Sequence, residues 1–218
     1  TLTGVDFTGS TFNYALMDSS LMDQVKLVTA KMINTQLTGV KFYNPVNTGK
    51  AADLSGVTMN NSTLHKSDFS YANMRGASLL GVTADSCIFN NVNFQSDNTY
   101  NVAYLTGSTL SYAVFNSAQL NNVNLSNAYI VNGQFNQLTL LGTNFVSATM
   151  PGSNFQGSVL EGVLFTGAIL QDANFTSATI QAQPGGGAGV DFSCSQLGGA
   201  NFSNATILQA SFANAVMP

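Results

Sequence analysis

The sequence has no tryptophan, one histidine, two cysteines and four prolines, and only 7% of its 218 residues are charged. Each shortage excludes a class of chemistry. His65 is the lone imidazole, so no His pair can hold a metal and no Ser–His or Cys–His couple can be assembled on it by spacing. Cys87 and Cys194 are too few for a disulfide framework and wrongly spaced for zinc. No apolar run approaches eighteen residues, so no membrane-spanning helix is expected, and no basic-then-apolar leader is visible. All six basic residues precede position 101, and after it the acids are Glu161, Asp172 and Asp191. That pattern provides neither a basic patch for nucleic acid nor, with ten acids in all, a dense acidic field. No catalytic residue, metal ligand, cofactor site or small-molecule substrate site is predicted.

What the sequence has is a beat. From Ala103 to Ile180 every fifth residue is large and apolar, and the residue two before it is nearly always small. Thr143-Asn144-Phe145, Ala148-Thr149-Met150, Ser153-Asn154-Phe155 and Ser158-Val159-Leu160 are four consecutive units. A fixed short period is a repeat architecture and has to be read before any local signal. Five matches neither the helical period of 3.6 nor the strand period of 2. It does match a very short extended segment plus a corner. The small and large residues, two apart, then face inward together, and the residue between them faces out. Most of the 20 glycines, with Asn61, Asn122, Asn127, Asn132, Asn204 and Asn214, fall two residues after the large one. These residue types accept φ > 0, so the corner needs a left-handed backbone at that phase.

Ala173-Asn174-Phe175-Thr176-Ser177 and Ala200-Asn201-Phe202-Ser203-Asn204 resemble the pentapeptide-repeat family, whose unit is a small residue, Asn or Asp, Leu or Phe, and two variable positions. The resemblance covers essentially the whole chain. It implies an all-β fold, a right-handed quadrilateral parallel β-helix with four units per turn.

The beat jumps three times, from Phe42 to Leu54, Phe94 to Leu105 and Ile180 to Phe192. If the jumps are pure insertions, every fourth unit gives Phe42, Phe69, Phe89, Phe115, Phe135, Phe155, Phe175 and Phe202, one unbroken stack. A second wall then collects Phe145, Phe165, Phe192 and Phe212. We therefore expect loops at Tyr43–Ala52, Gln95–Val102 and Ala182–Gly189, and about ten turns spanning roughly 48 Å at a strand spacing of ~4.8 Å. The chain opens and closes inside a repeat, at Thr1-Leu2-Thr3-Gly4 and Ala215-Val216-Met217-Pro218. This reads as one solenoid domain, residues 1–218, cut from a longer protein or stacked end-on against a partner.

Outward apolar residues give the candidate partner-binding patch: Leu141, Val146, Val159, Leu164 and Ile169. The protruding loops offer Tyr43, Asn44, Pro45, Lys50, Asp97, Tyr100, Pro184 and Gly186. Gly186-Gly187-Ala188-Gly189-Val190-Asp191 is similar to a calcium-binding nonapeptide, but Ser193 sits where that motif needs an apolar residue. The expected function is a non-catalytic scaffold, a rigid rod in a secreted or surface protein that binds a protein partner or stacks on itself. The family resemblance implies one alternative, a DNA mimic that protects DNA gyrase or a related topoisomerase. Mimicry needs many carboxylates along one side, because duplex DNA carries about one charge per 1.7 Å.

Overall fold

A computed structural model describes residues 1–43, 51–96 and 101–217. Its repeating event is one residue of parallel pairing per five. Asn144 pairs with Leu164, Thr149 with Ile169 and Asn154 with Asn174, each 20 residues on. Four units therefore close one turn, as expected. Where pairing extends beyond one residue it gives short strands: β1 (Thr139–Leu141), β2 (Val159–Glu161), β3 (Thr179–Gln181), β4 (Val190–Asp191), β5 (Thr206–Ile207) and β6 (Ala210–Ser211). They form two parallel sheets, β1-β2-β3-β5 and β4-β6.

The spacing between paired residues tests the three jumps. Lys41 pairs with Asp68, 27 residues on; Asn93 with Gln119, 26 on; Asn174 with Asn201, 27 on. Each jump is thus an insertion into one turn, and register is regained immediately. The aromatic columns follow. Phe42, Phe69, Phe89, Phe115, Phe135, Phe155, Phe175 and Phe202 stack in sequence, with centroids 4.7–5.3 Å apart and planes within 15°. Phe145, Phe165, Phe192 and Phe212 stack likewise on the opposite wall. The two columns meet edge-on, as at Phe145–Phe155, where the rings cross at 83°. Offset stacking and edge contacts both suit the ring quadrupole. Each buried Phe contributes about 1.5–3 kcal/mol.

The backbone accounts for itself unit by unit. Around Phe145, Asn144 N–H donates to Val123 O at 3.0 Å in the turn before, and Phe145 and Ser147 N–H donate to Leu164 O and Thr166 O in the turn after. Ala148 N–H closes the corner on Phe145 O at 3.0 Å. The fifth donor, Val146 N–H, has only a side chain to go to, Asn144 Oδ1 at 2.9 Å. This is the physical reason for Asn or Asp before the large residue. The same loop closes at Asp53–Ser55, Asn154–Gln156, Asn174–Thr176 and Asn201–Ser203. Other units solve the problem from the turn before: Asp18 accepts from Thr38 N–H at 2.7 Å, and Asn60 from Leu80 N–H at 3.1 Å. The family pattern is a hydrogen-bond requirement.

The small inward residue is often a hydroxyl, and it too is satisfied. Ser108 donates to Leu79 O at 2.7 Å, Thr143 to Leu120 O at 2.9 Å and Ser153 to Ile130 O at 2.8 Å. Corners take φ near +60° two residues after the large residue, as expected. Side chains beyond Gly and Asn occupy them, including Tyr14, Thr29, Lys66, Tyr71 and Tyr112. Burial of the flanking unit overrides the local cost of a left-handed L residue.

Candidate functional site

The expected patch residues are all half-buried and occupy three walls. Leu141 and Val159 lie on the second wall, in β1 and β2, where Leu141 pairs with Glu161 and Val159 with Thr139. Val146 and Leu164 flank the third wall, and Ile169 stands on the fourth, between Thr149 and Gln196. The structure does not gather them on one flat surface. Other large apolar side chains stand further out, Leu16, Tyr14 and Leu208 most of all, and along the middle of the rod Tyr71, Tyr104, Tyr112 and Tyr129 are between 40% and 58% exposed. Tyr104 and Tyr129 hold the outward phase, before Leu105 and Ile130, and Tyr71 and Tyr112 the corner phase.

Of the loop residues, Tyr43 leans on Tyr71 with centroids 4.8 Å apart. Pro184 and Gly186 are exposed on a turn closed by Gln183 N–H to Ala188 O at 3.0 Å and Gly187 N–H to Gln183 O at 3.2 Å. Asn44, Pro45, Lys50, Asp97 and Tyr100 lie outside the described residues. His65 Nδ1 is 3.7 Å from Asp85 Oδ2 on the fourth wall. Among the described residues no group of His, Cys, Asp and Glu side chains converges as a metal site. Among the described residues no helix is long and apolar enough to cross a membrane. Lys26, Lys31 and Lys41 fall on three different walls.

One local irregularity was not anticipated. Pairing on the second wall runs Asp6–Lys26–Asp53–Asn73–Asn93–Gln119 and resumes as Thr139–Val159–Thr179–Thr206. Gln119 and Thr139 are not paired. Elsewhere on this wall the large residue donates to the next turn, as Leu54 does to Asn73 O and Met74 to Asn93 O, both at 2.8 Å. Among the described residues, Leu120 N–H makes no such bond to Thr139 O, and Thr139 N–H makes none to Ala118 O. Ser117 N–H likewise makes no bond to Asn136 O, and the ladder closes on either side through Phe115 N–H to Gln134 O at 3.0 Å and Asn122 N–H to Leu141 O at 2.7 Å.

Leu138 is the cause. It occupies the small inward phase, where the units above and below carry Ala118 and Ser158. A leucine there is overpacked and forces the backbone aside. Its N–H bonds Ser158 Oγ at 3.3 Å, and that hydroxyl passes the bond on to Phe135 O at 2.7 Å. The separated rungs leave a surface recess of about 300 Å³, floored by Ala118 and Leu138 and rimmed by Gln95, Ser117, Gln119, Asn121, Gln137 and Thr139. A second recess of similar size shares Ser117 and Gln137 and adds Asn116 and Asn136. Among the described residues, no charged side chain lines either.

Parallel single-residue rungs, left-handed corners and two inward aromatic columns define a quadrilateral β-solenoid. The chain belongs to the pentapeptide-repeat family: the family model for pentapeptide repeats matches residues 50–83, 103–137, 131–167 and 143–181. Among solved structures, it is similar to full-length QnrB1, a plasmid-mediated fluoroquinolone resistance protein, at 14% identity and a TM-score of 0.53, over 100% of this chain and 91% of that one. HetL, a pentapeptide-repeat protein involved in heterocyst differentiation regulation from the cyanobacterium Nostoc sp. strain PCC 7120, is 17% identical with a TM-score of 0.45, over 96% of this chain and 90% of that one. At these identities the likeness is one of fold. No curated protein sequence matches the chain. Pentapeptide-repeat proteins are generally non-catalytic scaffolds.

Proposed function

We propose that the chain is a non-catalytic interaction scaffold, a rigid rod that binds a protein partner through its side walls and loops. The observation that carries this reading is the set of projecting tyrosines, Tyr71, Tyr104, Tyr112 and Tyr129, held on rungs whose inward residues, Phe69, Leu105, Leu110 and Ile130, are fully buried. Tyrosine offers a large contact area with few rotatable bonds and a hydroxyl that tolerates either water or a partner. A rung fixed by neighbours above and below costs little further ordering on binding.

Substituting the four tyrosines by serine tests it. The substituted rod should keep its circular dichroism and lose the partner that the native rod retains from an extract of its source. A partner bound equally by both rods, or catalytic turnover by the isolated chain, would overturn the reading.

The alternative, gyrase protection by DNA mimicry, finds less support in the charge pattern. Asp6 and Asp53 share the second wall with Lys26, which pairs with both and approaches Asp6 to 3.7 Å, while Asp68 and Asp191 lie on other walls. A supercoiling assay in which the chain shields gyrase from a quinolone would reinstate it.

A further inference from the structure

We propose that the break between Gln119 and Thr139 is a binding site for a neutral polyhydroxylated ligand, one sugar residue of a glycan. This goes beyond protein binding and stands on a different part of the surface chemistry.

Three observations carry it. First, the ladder is opened at one place by a specific residue, Leu138, and reclosed on either side, so backbone polar groups of Ala118, Leu120 and Thr139 are released from pairing beside a recess. Backbone groups in folded chains are almost always paired, and local departures concentrate where a ligand is held. Second, the amides around the recess are uncommitted. Asn154 and Asn174, further along the rod, are tied into a ladder, Asn174 Nδ2 donating to Asn154 Oδ1 at 3.2 Å. Among the described residues, the side chains of Gln95, Ser117, Gln119 and Gln137 have no such partner, and of the rim carboxamides only Asn121 is engaged, accepting from Leu141 N–H at 3.2 Å. Third, among the described residues the rim carries donors and acceptors together and no charge.

That chemistry selects the ligand. A carboxamide presents an N–H donor beside a C=O acceptor, and a sugar hydroxyl is likewise both donor and acceptor, so adjacent hydroxyls can satisfy both ends of one amide. Phosphates, carboxylates and cations find no counter-charge among the described rim residues. The volume, about 300 Å³, is at the lower limit of small-molecule sites and admits one sugar rather than a long chain. An added peptide strand needs a run of open ladder. Here the opening is confined to the Ser117, Leu120 and Thr139 N–H groups and is bounded by the Phe115–Gln134 and Asn122–Leu141 bonds.

The test is an amide-resolved NMR titration of the full chain with glucose, galactose, mannose and N-acetylglucosamine, and with N-acetylglycine methylamide as a peptide mimic. At least one sugar should give saturable shifts confined to residues 117–121 and 137–141, with a Kd on the order of 1–10 mM for a ligand of this size. Gln119→Ala and Gln137→Ala face solvent and leave the core intact; each should weaken binding about tenfold. Leu138→Ala should let Leu120 and Thr139 pair, slow exchange of their amides and abolish the shifts. If Leu138→Ala fails to fold, the two glutamine variants decide. No confined shift with any of the sugars, a response to the peptide mimic in their place, or unchanged sugar affinity in both glutamine variants would overturn the proposal.

Discussion

Oδ1 of Asn61 lies 2.9 Å from the point that a β-carbon on Gly81 would occupy, one turn further along the same corner. Asn122 stands in the same relation to Gly142, Asn132 to Gly152 and Asp172 to Gly199. At these four corners the Asx side chain extends along the rod axis toward the glycine of the next turn; elsewhere the same relation is filled without glycine, as Asn61 follows Asn34 and Ser147 follows Asn127. The pairing is vertical, between residues 20 or 27 apart.

This separates two roles of corner glycine. Gly107 has φ +66° with open space around it, whereas Gly152 has the same φ beneath Asn132. Gly107→Ala should cost only the strain of an L residue, about 1–2 kcal/mol. Gly152→Ala should cost distinctly more, and the excess should vanish in the Asn132→Gly background. Denaturant midpoints of the four proteins check the cycle.

The aromatic column predicts a local loss. Phe135 stacks on Phe115 and Phe155 at 4.9 and 5.1 Å and meets the edge of Phe145 at 5.5 Å. Phe135→Ala should destabilise the rod by about 3–5 kcal/mol. Because repeats contact only their neighbours, hydrogen exchange should accelerate first in the turns holding Phe115 and Phe155.

Asn174 performs two tasks, accepting from Thr176 N–H at 3.0 Å and donating to Asn154 at 3.2 Å. Asn174→Ala removes both and should cost about 1–3 kcal/mol. Asn174→Asp keeps the acceptor and loses the donor, so its melting temperature should fall between those of the native chain and the alanine variant.

Asp191 sets an acid limit. Partial burial works against its charge, but hydrogen bonds from Ser193, including its N–H at 2.8 Å, and from the Thr166 hydroxyl at 2.8 Å outweigh it, and its pKa lies below the ordinary 3.8. The folded value is the lower one, so the stability contributed by the ionised group is complete above the unfolded pKa and is lost as pH falls through the folded one. Asp191→Asn should therefore flatten the acid limb of the stability profile below about pH 4 and leave its shape near neutrality unchanged.

The two thiols should differ sharply in reactivity. Burial pushes the Cys87 thiol up to about 12, and its Sγ lies 2.9 Å from Leu64 O inside the core. Cys194 is exposed at a corner with φ +59°. Alkylation of the native chain at pH 8 should label Cys194 and spare Cys87 until the rod is unfolded, read by peptide mass.

The expected Phe columns, corner phase and length of each insertion all match the structure, because each follows from counting along the chain. The five-residue beat assigns inward and outward residues whatever they touch. Leu138 was visible as the one leucine in the small phase, but its effect follows only from treating that phase as a volume limit. The patch was less legible. Outward phase and the count of units spread Leu141, Val146, Val159, Leu164 and Ile169 over three faces of two adjacent turns, but do not say how far each stands out from its rung.

The amino-acid order alone therefore determined the five-residue rung and its corner, since a period is a property of one dimension, while the four walls and the stack built on them followed from the family resemblance. Which Asx side chain closes which N–H, which corner glycine lies beneath which asparagine, and where the ladder parts between Gln119 and Thr139 were decided by the coil. Vertical neighbours are 20, 26 or 27 residues apart, and steric fit and hydrogen bonding across that distance exist only once the turns are stacked.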